Sequence, residues 1–99
     1  MATLHVLSHS PFGDSRLSSC LRLLGPNDGL LLSGDAVYAL QPGTAQLQAL
    51  ELMPAGIALY ALEEDLQARA LSAPARAQAI DYPAFVELCG RYARVNSWL

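Results

Sequence analysis

Cys20 is the side chain of this sequence with the clearest chemical capacity, because a thiolate can act both as a nucleophile and as a sulfur carrier. A cysteine is well ionised at neutral pH only when its pKa falls below the usual value of about 8.5. With Asp14 as the predicted cap, Cys20 lies in the second turn of a helix, where the helix dipole has faded, although Arg16 is a possible cationic neighbour. Cys20 also belongs to an apolar stripe at helical spacing, formed with Leu17, Leu21 and Leu24. The sequence therefore leaves two interpretations open: a reactive thiol or a buried packing residue.

Two histidines invite a metal interpretation that their spacing opposes. His5 and His9 lie on or near an extended strand, which separates them by roughly 13 Å. One metal ion needs each histidine nitrogen about 2 Å away. We therefore predict no metal site, and we expect His5 to be a core or interface residue. His9 follows the strand and is a candidate acid or base. Cys89 lies in a second apolar stripe, and we predict that it is a buried packing residue.

Several catalytic classes lack their sequence signatures. Ser8 and Ser10 are not part of a nucleophile-elbow pattern, which argues against a serine hydrolase. There is no glycine-rich phosphate loop and no C-x-x-C pair of the thioredoxin type. Acidic residues follow the ends of two predicted strands and are interpreted as helix caps or as a docking surface: Asp35, Glu63, Glu64 and Asp65.

The elements that would position Cys20 form a βαβ unit. Residues 3–7 and 29–33 are predicted strands, and residues 15–24 form the helix between them. Two parallel strands need a crossover of this length, normally a helix. Sites in open parallel sheets lie at the carboxyl ends of strands, so we expect the loop of residues 8–14 to border any site.

The rest of the chain continues the alternation of strand and helix. We predict strands at 57–62 and 78–81 and helices at 34–40, at 63 to about 71, and in a last segment that has Pro83 in its first turn. Residues 44–52 could be helical or irregular, and residues 96–99 are predicted to be a tail. The pattern predicts one α/β domain, residues 1–99, with a mostly parallel sheet of four or five strands.

Composition limits the partners of the chain. Hydrophobic residues make up 53% and charged residues only 15%, so a small monomer would expose much apolar surface. We predict an oligomer; the alternative is a core rich in alanine and leucine.

The six basic residues are scattered arginines and the net charge is -3, which argues against direct nucleic-acid binding. The two distant cysteines suggest no disulfide framework, and without a membrane span or signal peptide we expect a soluble cytoplasmic protein.

Four segments, in order, resemble one known family. Residues 4–12 (LHVLSHSPF) are similar to its Leu-His-x-x-x-x-Ser-Pro-aromatic start, and residues 28–39 (DGLLLSGDAVYA) to its apolar strand followed by Asp-Gly/Ala-Val. Residues 59–71 (LYALEEDLQARAL) resemble Tyr-x-Leu-x-x-Asp-Leu-x-Ala-Arg-Gly, with Ala70 where the family often has glycine. Residues 80–86 (IDYPAFV) resemble Asp-Tyr-x-x-Phe-Val. Together with a tail near Trp98, these segments resemble the TusB/DsrH family of sulfur-relay subunits.

The resemblance implies a DsrE-like, flavodoxin-like three-layer sandwich. It also implies a heterohexamer with TusC-like and TusD-like subunits, two copies of each. Such a complex takes persulfide sulfur from a TusA-like donor and passes it through a TusE-like acceptor for 2-thiouridine synthesis at the tRNA wobble position. The resemblance places the catalytic cysteine on the TusD-like subunit and implies no metal and no cofactor.

Two alternatives remain at this stage. In the DsrH branch, from sulfur-oxidising bacteria, the first helix carries a cysteine, and Cys20 falls at that position. The chain would then be a DsrH-like subunit of a dissimilatory sulfur-oxidation relay, with Cys20 as the sulfur-carrying thiol. The other alternative is a small flavodoxin-like binding domain unrelated to sulfur.

Overall fold

Five parallel strands form the centre of the structure, a computed structural model that describes residues 2–98. The strands are β1 (Thr3–Leu7), β2 (Gly29–Leu32), β3 (Ala58–Leu62), β4 (Ala77–Ile80) and β5 (Arg94–Trp98). Their order across the sheet is β4-β3-β2-β1-β5, and every neighbouring pair is parallel. The chain thus builds outward from β1 to β4 and then returns to the other side of β1. This architecture confirms the predicted α/β sandwich.

The helices cover the two faces of the sheet unequally. They are α1 (Arg16–Leu23), a 3₁₀ helix (Gly34–Leu40), α2 (Ala45–Glu51), α3 (Glu63–Ala68) and α4 (Tyr82–Cys89). The first four contribute to the larger apolar cluster on one face, and α4 packs against a smaller cluster on the other face. Among residues 2–98, none of these helices has the length and apolar character needed to cross a bilayer.

β2 contains a run of three leucines and is buried on both faces of the sheet. Leu30 and Leu32 belong to the larger cluster, and Leu31 belongs to the smaller one. Successive side chains of a strand point to opposite faces, so a strand covered on both sides needs a continuous apolar run. All four residues of β2 are buried.

The predicted tail is instead a strand as far as the structure describes it, which excludes Leu99. Residues Arg94–Trp98 form β5 and pair with β1, in a register that places Val95 beside Leu4 and Trp98 beside Leu7. Four of the five residues of β5 are exposed. An edge strand of this kind has no apolar run and no alternation, so the local sequence did not reveal it; the backbone pairing with β1 makes it a strand.

Segments left open by the sequence also take definite conformations. Residues 44–52 include the helix α2, whose start is capped because Thr44 Oγ1 accepts a hydrogen bond from Leu47 N at 3.2 Å. Residues Gly34–Leu40 are helical, as predicted, with 3₁₀ geometry.

The end of α3 explains why glycine suits position 70. Ala70 has a φ of +54°, in the left-handed region that favours glycine. Leu71 N donates to Leu66 O at 2.9 Å, and Ala70 N donates to Gln67 O at 3.2 Å. These two bonds form a Schellman motif, which usually has glycine at the position of Ala70. The helix therefore ends at Ala68, earlier than the predicted end near residue 71.

We predict that Ala70→Gly stabilises the chain by about 1 kcal/mol, because it removes the steric cost of a left-handed alanine. For a domain of this size the melting temperature should rise by roughly 4–8 °C. Thermal unfolding followed by circular dichroism measures the change. Ala49→Gly, at an exposed position of α2, is the matched control and should lower stability by about 0.5–1 kcal/mol. An Ala70→Gly protein that melts below the wild type would contradict this account.

Candidate functional site

The carboxyl ends of the strands contain the loop in which the sequence placed a site. The strand order reverses between β1 and β5, and open parallel sheets bind ligands outside such a reversal. Ser8 and His9 emerge there and are exposed, with Ser8 Oγ 3.5 Å from His9 Nδ1. The neighbouring strand end is fastened to β1, because Ser33 N and Ser33 Oγ donate to Leu7 O at 2.9 and 3.0 Å. The loop thus presents exposed polar side chains beside two strand ends that are hydrogen-bonded to each other.

The acidic residues at this edge join two helices. Asp65 Oδ2 accepts a hydrogen bond from Gly34 N at 2.8 Å. Arg69 donates to Asp35 Oδ1 from Nη2 at 2.8 Å and lies 5.6 Å from the ring centre of Tyr38. The bond to Asp35 raises the pKa of Arg69 above its ordinary value. Asp35 and Asp65 therefore fasten the 3₁₀ helix to α3.

Glu63 and Glu64 occupy a different environment from these two aspartates. Both lie exposed in the first turn of α3, where their charge suits the helix dipole. No side chain caps α3 itself. The docking interpretation therefore remains a prediction for this pair.

Cys20 lies inside the protein. Its side chain is 0% exposed and belongs to the larger apolar cluster. Burial, and then the negative charge of Asp28, raise the pKa of Cys20 well above its ordinary value, to about 12. The thiol is therefore neutral at pH 7 and has no solvent-exposed surface in this structure. Whether Cys20 carries sulfur during function stays a prediction.

Cys89 is half-buried on α4 and packs against the smaller cluster.

The polar centre that the sequence did not identify is a chain of three side chains: Trp98, His5 and Asp28. Trp98 Nε1 lies 3.1 Å from His5 Nδ1, and His5 Nε2 lies 3.2 Å from Asp28 Oδ2. The indole N–H can only donate, so Nδ1 of His5 must accept and the imidazole proton must be on Nε2. His5 is 6% exposed, which confirms that it is a core histidine.

Asp28 is the acceptor at the end of this chain. It is 7% exposed, and it also accepts hydrogen bonds from Thr3 N at 2.9 Å and Gly25 N at 2.8 Å. Burial would raise the pKa of Asp28, but the bonds from Gly25, Thr3 and His5 outweigh burial and lower it. The carboxylate is therefore ionised at neutral pH. The turn residues Asn27-Asp28-Gly29 were the only local signal for this position, and a turn gives no indication of a buried charge.

Tyr92 follows α4, packs against the smaller cluster and lies next to Gly29, the residue after Asp28. Burial, a hydrogen bond with Tyr60 and the charges of Tyr60 and Asp28 raise the pKa of Tyr92 to about 12. A Cβ atom at Gly29 would overlap the Tyr92 hydroxyl, so this glycine allows the close approach. Within residues 2–98, no three side chains of His, Cys, Asp or Glu converge as metal ligands would.

Comparisons with known proteins give consistent results. A family model described as "DsrH like protein" matches residues 9–95. The chain is 43% identical to Protein TusB of Erwinia tasmaniensis over 97 residues, which cover 96% of this chain and 99% of the relative. It is 40% identical to Protein TusB of Serratia proteamaculans over the same shares of both chains. The crystal structure of the ychN protein from E. coli matches with a TM-score of 0.81 and 18% identity, covering 99% of this chain and 100% of that one, which shows a shared fold.

We predict that Asp28→Asn lowers the free energy of unfolding by about 1–3 kcal/mol at pH 7, because an amide cannot accept from all three donors. The folded-state pKa of Asp28 lies below its unfolded value, so its contribution is complete above about pH 4 and is lost as the pH falls towards the folded pKa. Urea unfolding at several pH values measures both effects. Asp81→Asn is the matched control, because Asp81 caps α4 and asparagine caps equally well. Equal stability of Asp28→Asn and wild type would contradict this role.

We also predict that Cys20 reacts with iodoacetamide far more slowly in the native protein than after unfolding. The raised pKa alone lowers the thiolate fraction roughly 1,000-fold relative to a thiol of ordinary pKa. Mass spectrometry of the Cys89→Ser variant measures Cys20 alone, and the Cys20→Ser variant provides half-buried Cys89 as the comparison. Rapid native labelling of Cys20 would show that the thiol opens to solvent.

Proposed function

The chain belongs to the DsrH-like family, as its sequence resemblance predicted, and we propose that it is a TusB-type subunit of a sulfur relay that serves tRNA thiolation. The relatives that carry the name TusB match nearly the whole chain. In this proposal the relay delivers sulfur for 2-thiouridine synthesis at the wobble position, in the cytoplasm. The chain contributes structure and interaction surface rather than the sulfur-carrying thiol.

The burial of Cys20 is the observation that supports a structural role for this chain and a carrier cysteine on another subunit. Persulfide transfer requires a thiolate that attacks the outer sulfur of a donor persulfide, while the donor cysteine leaves as a thiolate. Cys20 is buried, and its pKa of about 12 keeps the thiol protonated. The nearby charge of Asp28 opposes the thiolate further. A partner subunit is therefore the better candidate for the carrier cysteine.

Exposed apolar side chains support an interaction role. Large hydrophobic residues lie on the surface at several separate places, and they include Phe12, Leu23, Leu52, Tyr82 and Val86. Leu52 is 83% exposed. Tyr82 and Val86 are both exposed and lie one turn apart on α4, and contiguous exposed apolar surface marks interaction sites. We propose TusC-like and TusD-like subunits as these partners, in a heterohexamer, with a TusA-like donor and a TusE-like acceptor reached through the complex.

A second candidate function rests on the position of Cys20 in the first helix. The chain could act as a DsrH-like subunit of a sulfur-oxidation relay, with Cys20 as the carrier. This function requires α1 to move, because the thiol is enclosed by the larger apolar cluster. Complementation with a Cys20 variant separates the two functions.

We predict that deletion of the gene for this chain lowers 2-thiouridine in tRNA, measured by mass spectrometry of digested tRNA. Complementation with Cys20→Ala should restore thiolation to near the wild-type level, because the thiol is not needed for transfer. A tagged copy of the chain should co-purify with two small homologous subunits.

Two controls make the result decisive. Cys89→Ala is the matched cysteine variant, and circular dichroism checks that both variants are folded. Normal 2-thiouridine after deletion would refute the tRNA function. A folded Cys20→Ala protein that fails to complement, together with a persulfide trapped on Cys20 in the wild type, would establish the carrier function instead.

A further inference from the structure

The attachment of β5 to the sheet depends on few side chains. Four of its five residues are exposed, and only Trp98 is half-buried. Trp98 packs against the larger apolar cluster, and its indole lies 6.2 Å from the His5 ring, measured between centroids. Apart from backbone pairing with β1, Trp98 is thus the main anchor of the strand.

The hydrogen bond of this anchor exists in only one protonation state of His5. The indole N–H has no lone pair to offer, so it bonds to Nδ1 only while that nitrogen is unprotonated. A proton taken from solvent onto Nδ1 would place two N–H groups against each other across 3.1 Å. The bond from Trp98 would be lost and replaced by repulsion.

We propose that the Trp98–His5–Asp28 chain is a pH-sensitive latch that holds β5 on the sheet while His5 is neutral and loosens β5 when His5 takes up a proton. Histidine is the side chain whose charge ordinarily changes between about pH 5 and pH 8. The proton moves between solvent and Nδ1, the hydrogen bond from Trp98 is lost, and no other covalent bond is made or broken. The inference concerns the fold of this chain and does not rest on the sulfur-relay function.

The charge of Asp28 explains why protonation of His5 weakens its contact with β5 and not its contact with Asp28. Asp28 keeps its bonds from Thr3 N and Gly25 N and remains ionised, so it pairs at least as well with a cationic His5 as with a neutral one. Protonation therefore spares the β1 and β2 side of the chain and weakens only the contact with Trp98.

The other titratable and charged groups around the latch do not change between pH 5 and pH 8. Cys20 on α1 and Tyr92 after α4 both interact with Asp28, and both have pKa values of about 12. His5 is therefore the group of this cluster that can respond, and loosening of β5 would expose the outer edge of β1.

Trp98 is the single tryptophan of the chain, which makes it a specific probe. The experiment uses the full chain labelled with ¹⁵N, alone or with its unlabelled partners, between about pH 8 and pH 5. Imidazole ¹⁵N shifts report the protonation of His5, and acrylamide quenching reports the exposure of Trp98. Amide-exchange protection factors of β5, corrected for intrinsic rates, should fall roughly 2- to 10-fold as His5 becomes protonated, the effect of losing one hydrogen bond. Protection of β2 and β3 should stay constant.

Two variants test the mechanism separately. His5→Gln cannot titrate, so β5 protection should not vary with pH. Trp98→Phe lacks the indole donor, so it should also remove the pH dependence even if His5→Gln fails to fold. The proposal is overturned if Trp98 stays equally shielded after His5 is protonated, if His5 stays neutral down to pH 5, or if either folded variant keeps the wild-type pH dependence.

Discussion

One buried carboxylate connects the parts of this structure that sequence separates. Asp28 accepts hydrogen bonds from Thr3 N at the start of β1, from Gly25 N after α1 and from the His5 ring. Through His5 it also reaches Trp98 on β5. A buried charge is tolerated only when such donors replace its hydration. The neighbouring strands β2 and β1 and the edge strand β5 are therefore joined by one polar chain as well as by their backbone ladders.

The same carboxylate influences the chemistry of the cysteine beside it. Burial raises the pKa of Cys20 most, and the negative charge of Asp28 raises it further because it disfavours a second negative charge nearby. A sulfur-carrying thiol needs the opposite environment, with positive charge and access to solvent. The arrangement around Cys20 therefore suits a packing residue better than a sulfur-carrying thiol.

At the carboxyl edge of the sheet, some charged side chains bond to one another and other polar side chains are exposed. Asp35, Asp65 and Arg69 join the 3₁₀ helix to α3, so three of the charged groups that could have faced a ligand are engaged in internal contacts. Glu63, Glu64, Ser8 and His9 remain exposed around them. The edge therefore presents a small number of exposed polar groups beside charged groups that are bonded to one another.

Local patterns in the sequence determined much of this protein. The leucine run of β2 indicated a strand with two covered faces, the stripe of α1 indicated a helix with Cys20 on its inner side, and the ordered segments indicated the family. Each of these signals depends on residues close together in the chain.

The tertiary structure alone decided the rest, because the partners involved are distant in sequence. β5 is polar, and it becomes a strand only by pairing with β1 more than eighty residues earlier. Asp28 occupies an ordinary turn, yet packing places Thr3 and His5 against it and places Trp98 against His5. The environment of Cys20 followed from the same packing: the sequence showed a thiol in a helix, and only the fold determined that it is enclosed beside a buried negative charge.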